Sequence, residues 1–176
     1  MKITPPPSTE TFGFYDSYIN RVRHTDLFDA LETAHRNTLA LMEPLDDATL
    51  NHRYAEGKWS IKEIIHHLID AERNFSMRAM RFSRGDRAVI PPYDVHSFVL
   101  NSKADHRTKS DLLEEWELIR KATIIQYRTF EPAMLDLTGP ARDIEISVRA
   151  MGFLIAGHEM HHMSVVKEKY LGSISV

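Results

Sequence analysis

Apolar residues recur at helical spacing over four stretches of the chain. Leu27, Leu31, Ala34, Thr38, Leu41 and Leu45 define the first, a helix over about Asp26 to Met42 that Pro44 closes. The second has the clearest start signal. Ser60 can cap it while Glu63, three residues on, reaches back as the partner in a capping box. Ile64, Leu68, Ala71 and Phe75 mark its apolar face, and it runs to about Phe82, before Gly85. The third spans roughly Ser110 to Phe130, with Leu112, Trp116, Ile119, Thr123 and Phe130 on one face and Pro132 as its stop. The fourth starts at a capping Ser147 and continues to about Tyr170, before Gly172. Val148, Met151, Ile155 and Val166 form its apolar stripe, which Leu154 and Val165 widen.

Four amphipathic helices predict an all-α, four-helix bundle forming one domain over residues 1–176. Pro5, Pro6 and Pro7 make residues 1–15 an extended N-terminal arm. No repeat, low-complexity tract or strand-hairpin signal stands out. The connection between helices two and three, about Gly85 to Lys109, is long for a bundle. It carries Pro91-Pro92-Tyr93-Asp94, His96 and His106, and reads equally as a site wall or as a plain crossover.

Composition narrows the function classes. A formal net charge of −3 gives no electrostatic footprint for nucleic acid or for an anionic membrane surface. The chain has no cysteine, which excludes disulfides, thiolate–metal sites and a cysteine nucleophile; any thiol in its chemistry must arrive with a ligand. The opening MKITPPPSTE lacks the apolar segment of a signal peptide, and no apolar run approaches membrane-spanning length. A cytoplasmic enzyme or binding protein is the expectation.

The chemistry concentrates in AGHEMHHMSVV, residues 156–166. At about 100° per residue, His158 and His162 fall inside the apolar stripe of the fourth helix, one turn apart, and His161 falls at its edge. Two stacked inward imidazoles suit two positions of one metal ion. On the second helix, His67 lies at the inner flank of the apolar face, while His66 should point to solvent. One histidine from one helix and a pair from another give a three-histidine set with open positions, the ligand count of a catalytic metal site. His158-Glu159-Met160-His161-His162 also matches the H-E-x-x-H pattern of zinc proteases. That reading fails for want of a third ligand. Beyond His162 there is no histidine, and the only acid, Glu168, sits on the same helix pointing elsewhere. Glu159 is off the stripe's centre, positioned for the surroundings of the site or for a neighbouring helix.

At these residues the chain resembles the DinB/YfiT-like superfamily of proteins regarded as metalloenzymes. The resemblance covers nearly the whole chain and is carried by Tyr18-Ile19-Asn20-Arg21-Val22, by GKWSIKEIIHHLIDAERNFSMRAMRFSRGD (57–86), by the Pro-Tyr-Asp of 92–94 and by SVRAMGFLIAGHEMHH (147–162). It implies a four-helix bundle binding a divalent metal through His67, His158 and His162, the three histidines the helical wheels select. His66 is a departure from the family's usual pattern. Some members look like S-transferases that bind the thiolate of a low-molecular-weight thiol; others resemble isomerases or hydrolases.

The leading expectation is therefore a metal-dependent enzyme that activates a low-molecular-weight thiol or water for transfer to a small electrophile. A metal-dependent hydrolase is the near alternative, and a non-catalytic sensor or scavenger the one from a different class. Zinc or nickel is the expected ion, since three imidazoles suit late divalent metals. The expected partners are a small-molecule substrate and a second copy of the chain in a homodimer, with no nucleic acid and no membrane. His35 and His52 read as solvated, Asp70 and Glu72 as members of surface ion pairs, Trp59 and Trp116 as core anchors, and the methionines as gap fillers.

Overall fold

The computed structural model describes residues 2–172. Four long helices dominate it, each starting on a side-chain cap that satisfies an orphan N–H and contributes about 1 kcal/mol. Before α1 (Leu27–Met42), Asp26 accepts from the Phe28 amide at 2.9 Å. Its second oxygen takes the Ile3 amide at 2.6 Å, which ties the N-terminal arm to the bundle and buries Ile3. The predicted capping box opens α2 (Ile61–Ser83), with the Glu63 amide donating to Ser60 Oγ and the Ser60 amide to Glu63 Oε2. Thr108 caps α3 (Lys109–Arg128) and Ser147 caps α4 (Val148–Val165), whose end continues as a π-helical turn over Val166–Leu171.

The helices do not pack in chain order. α4 lies against α1 and α2, and α3 packs against the same two, so helices consecutive in sequence, α1 and α2 or α3 and α4, face each other across the bundle. One apolar cluster gathers Leu27, Leu31, Phe82, Tyr127, Phe153 and Leu154. A second gathers Ile61, Ile65, Leu112, Trp116, Val166 and Tyr170.

Two features depart from the sequence reading. A short antiparallel hairpin, β1 (Thr138–Ala141) paired with β2 (Ile144–Ser147), precedes α4. It escapes detection because β1 contains Gly139-Pro140, both poor strand formers, and its turn is Arg142-Asp143 rather than a glycine-bearing pair. Gly139 is nevertheless required, since a Cβ there would sit 2.2 Å from the Phe82 ring against which the hairpin lies. The second departure is α4 itself, which is buried on every side from Ala150 to Glu159 rather than along one stripe. The hairpin, the arm and a one-turn helix, Asp16–Ile19, cover its outer face. That short helix comes so close that a Cβ on Gly157 would lie 2.0 Å from the Tyr18 carbonyl oxygen. Glycine at 157 thus lets Tyr18 reach the neighbourhood of His158.

The long connection is ordered. It includes a helix, Val95–Ser102, whose Asp94 cap accepts from the amides of His96 and Ser97, followed by a 3-10 turn, Ala104–His106.

Candidate metal centre

α2 and α4 bring three imidazoles to one point. His67 Nε2 lies 3.3 Å from His158 Nε2, which lies 3.1 Å from His162 Nε2, and the three donor atoms fall within 4.8 Å of one another. With metal–nitrogen bonds of about 2.0–2.1 Å, two imidazoles on one ion stand about 2.9–3.4 Å apart, so the observed spacings fit a shared ion. The imidazoles also have the right charge state. Burial lowers the pKa of His67 to about 4 and that of His162 to about 3. His158 is held well below the ordinary value first by burial and then by the neighbouring imidazoles of His162, His67 and His161. All three therefore offer lone pairs at neutral pH.

Aromatic rings fix these side chains. Trp59 tilts over His67 at 5.0 Å and stacks on His162 at 6.5 Å. Tyr18 meets His158 edge-on at 5.2 Å, and Phe75 does so at 5.8 Å. His161 stays outside the cluster, against Tyr18 and the Arg21 guanidinium.

Glu159, the glutamate of the H-E-x-x-H match, faces away from the imidazoles into the bundle. Arg120 of α3 donates to Glu159 Oε2 at 2.8 Å and forks onto both oxygens of Glu72 at 2.9 and 2.7 Å. The same guanidinium donates to the Leu31 carbonyl, and the Thr38 hydroxyl donates to Glu159 Oε1 at 2.7 Å. Every member of this network is buried. Glu72 thus pairs with a neighbouring helix, in the core rather than at the surface as expected. Asp70 does face outward, 3.6 Å from Arg73 and 3.3 Å from His66 Nδ1. His66 is turned from the cluster, yet its side chain is only 15% exposed, so it is not the freely solvated residue the wheel suggested. His35 is a second correction. Both its ring nitrogens are buried without a partner, edge-on to Trp116 at 5.5 Å.

The three imidazoles form the floor of a cleft of about 340 Å³, within the range of small-molecule pockets. Phe14, Tyr15, Tyr18, Trp59 and Phe75 make aromatic walls, and the long connection closes one side with Val89, Ile90, Pro92, Tyr93 and Val95. The connection therefore serves as a site wall. Burial raises the pKa of Tyr18 and Tyr93, so both phenols stay protonated hydrogen-bond donors at neutral pH. Arg78 and Arg142 also line the cleft. Sequence reasoning had the connection as a site wall in one of its two readings and took Trp59, which instead lines the cleft, for a core anchor; it singled out neither Tyr18 nor Arg142 for the site, which lie on the one-turn helix and the hairpin, where no periodicity points to a face.

A four-helix bundle with three convergent imidazoles at the floor of an aromatic cleft defines the class of protein. The sequence profile of the DinB superfamily matches residues 30–166, and the chain belongs to that family. It is similar to a protein of Oceanobacillus iheyensis named "Putative metal-dependent hydrolase OB0413", with 23% identity over 70% of this chain and 71% of that one. It is also similar to YfiT of Bacillus subtilis, named in the same terms, with 27% identity over 72% of each chain. In fold it resembles the solved structure of YfiT, described as a four-helix bundle of unusual topology, with a TM-score of 0.73 over 93% of this chain and 89% of that one. Identity over that longer alignment is 19%, so the likeness speaks to the fold. Among the described residues no helix is long and apolar enough to cross a membrane.

Proposed function

We propose that the protein is a metal-dependent hydrolase of a small substrate, with a divalent ion held by His67, His158 and His162. The observation that carries this reading is the convergence of three neutral imidazole nitrogens on the floor of a cleft. An ion held there, zinc or nickel by the chemistry of the donor set, would act as a Lewis acid, lowering the pKa of water and polarising a substrate carbonyl. The rest of the work falls to the chain. Trp59 and Tyr18 lock the imidazoles in place, so that little reorganisation is needed on binding. The apolar walls exclude bulk water and strengthen every polar contact within. Tyr18 and Tyr93 line the cleft, and their phenols, kept protonated by burial, would be available as donors to a substrate oxygen that gains negative charge.

Hydrolysis is favoured over thiol transfer, the first expectation from the sequence, because the relatives are named for hydrolysis. The test is a panel of nitrophenyl esters and anilides offered to metal-loaded protein with and without a low-molecular-weight thiol. Hydrolysis without thiol is expected, falling at least about a hundredfold in His158→Ala. Turnover that strictly requires the thiol would replace the hydrolase with a transferase. Metal binding with neither activity would leave a sensor or scavenger.

A further inference from the structure

The charges around the cleft are one-sided. Although the chain is net negative, no residue lining the cleft is aspartate or glutamate, while Arg78 and Arg142 both are lining residues. Neither arginine has a carboxylate partner among the described residues. On the same helix as Arg78, Arg73 pairs with Glu115 and Arg81 with Asp86. Arg78 instead donates to two backbone carbonyls, Ile90 at 3.1 Å and Pro140 at 3.4 Å. Those contacts bridge the long connection to the hairpin and leave the positive charge uncompensated in a half-buried place, which is costly for an isolated ion. Arg142 occupies the hairpin turn at a φ of +57° and lies over the Phe14 ring at 4.8 Å, at the rim of the same cleft. Asp70, the acid whose charge reaches His67 and Tyr93, is engaged by Arg73 and His66 outside the lining.

We propose that the cleft selects an organic anion, a carboxylate on an apolar or aromatic body, with the anionic group on Arg78 and Arg142 and the body against the aromatic walls. The inference rests on reading the cleft as the substrate pocket and names the substrate's chemical class. A guanidinium presents the fork geometry that matches a carboxylate, and a charge-assisted bond in a partly dry cleft is stronger than a neutral one. The aromatic walls contribute body recognition without selecting charge. Selection against neutral analogues then comes from the two arginines.

The test uses binding rather than turnover. Chelator-treated full-length protein is titrated calorimetrically with 3-phenylpropionate and with its neutral counterpart, 3-phenylpropionamide. The acid should bind at least about tenfold more tightly than the amide, a difference of about 1.4 kcal/mol. The Arg78→Gln, Arg142→Asn double variant should bind the two equally; asparagine tolerates the positive φ at 142, and glutamine can still donate to a carbonyl. Arg142→Asn alone, at an exposed turn, should reduce the preference with the fold intact by circular dichroism. Equal binding of acid and amide by the natural protein would overturn the proposal. So would an acid preference that survives in the double variant, or no binding of either probe up to about 10 mM. Because no metal is present, failure of the hydrolase reading would leave this result standing, and the converse also holds.

Discussion

Two buried polar clusters sit back to back on α4, and adjacent residues of one helix serve them. His158 joins His67 and His162 beneath an open cleft, whereas Glu159 joins Arg120, Glu72 and Thr38 in a closed one. They differ in completeness. In the ionic cluster each carboxylate accepts from a guanidinium, and the remaining donors of Arg120 find Leu31 and Glu72. In the imidazole cluster the nitrogens face chiefly one another, three lone-pair donors pointed at a shared space. A polar group buried with all its partners is structural by default; convergent acceptors that find only one another call for a further explanation, and a shared ion is the one proposed above. Only a cavity of about 10 Å³, room for roughly one water, lies between them. The H-E-x-x-H match is thus divided between two jobs, and its glutamate is not placed to act as a base on anything in the cleft.

The largest expected effect comes from breaking the closed cluster. Arg120→Met leaves Glu72 and Glu159 facing each other without a counter-charge, and removal of one partner from a buried ionic set costs about 3–5 kcal/mol. Urea unfolding should show a loss of this size. His162→Ala, which removes a group whose protein partners are only other imidazoles, should cost the metal-free protein far less. If Arg120→Met unfolds no more easily than His162→Ala, the network is solvated or rearranged, and its contrast with the imidazole cluster disappears.

Metal content sharpens the division inside the motif. His162→Ala should lower bound metal at least about tenfold, as should His67→Ala. His66→Ala should not, since that ring is turned toward Asp70. Glu159→Gln should keep both its metal and its activity per metal. The amide can still accept from Thr38, and burial already raises the Glu159 pKa. Elemental analysis beside ester hydrolysis reads both quantities. A Glu159→Gln protein that keeps its metal and loses hydrolysis would restore the protease-like role of this glutamate and overturn its assignment to the core.

How much of this was legible depends on the physical signal each part carries. The four helices, the Ser60–Glu63 box and the three histidines rest on helical periodicity, which acts over short sequence distances and survives folding unchanged. Arg120 could have been found, because it falls four residues after Trp116 and three before Thr123, on the apolar face of α3, where a charge requires a buried partner. Its partners could not, for periodicity does not tell which helix lies opposite. The hairpin, Tyr18 and the two cleft arginines depend on long-range packing: Gly139 against Phe82 and Gly157 against the Tyr18 backbone. A glycine in sequence announces that something comes near, without naming what. His35 was misread for the same reason, since the polar residues around it gave no hint that Trp116 would cover it.

His35 offers the smallest expected effect and a way to test whether completeness is the right criterion. Its two nitrogens are buried without a partner, whereas those of the imidazole cluster face one another, and it belongs to no cluster of potential metal ligands among the described residues, so it should be dispensable rather than functional. Burial, and secondarily the Arg120 charge, lower its pKa to about 4. The folded state therefore refuses a proton that the unfolded chain accepts near pH 6.5, and stability contributed by neutral His35 falls as pH drops from about 6.5 toward 4. Replacing it with leucine removes an unsatisfied polar group and that acid penalty together. At pH 7 the His35→Leu protein should be within about 1 kcal/mol of the natural one, or slightly more stable. At pH 5 its advantage should grow, because only the natural chain still loses stability at this position. Thermal melting of metal-free protein at the two pH values reads the difference, with the imidazoles of the cleft titrating equally in both. An advantage that shrinks on acidification, or a loss at pH 7 well beyond 1 kcal/mol, would mean that His35 holds a partner after all, and that an unsatisfied nitrogen is too weak a sign on which to separate a site from a core.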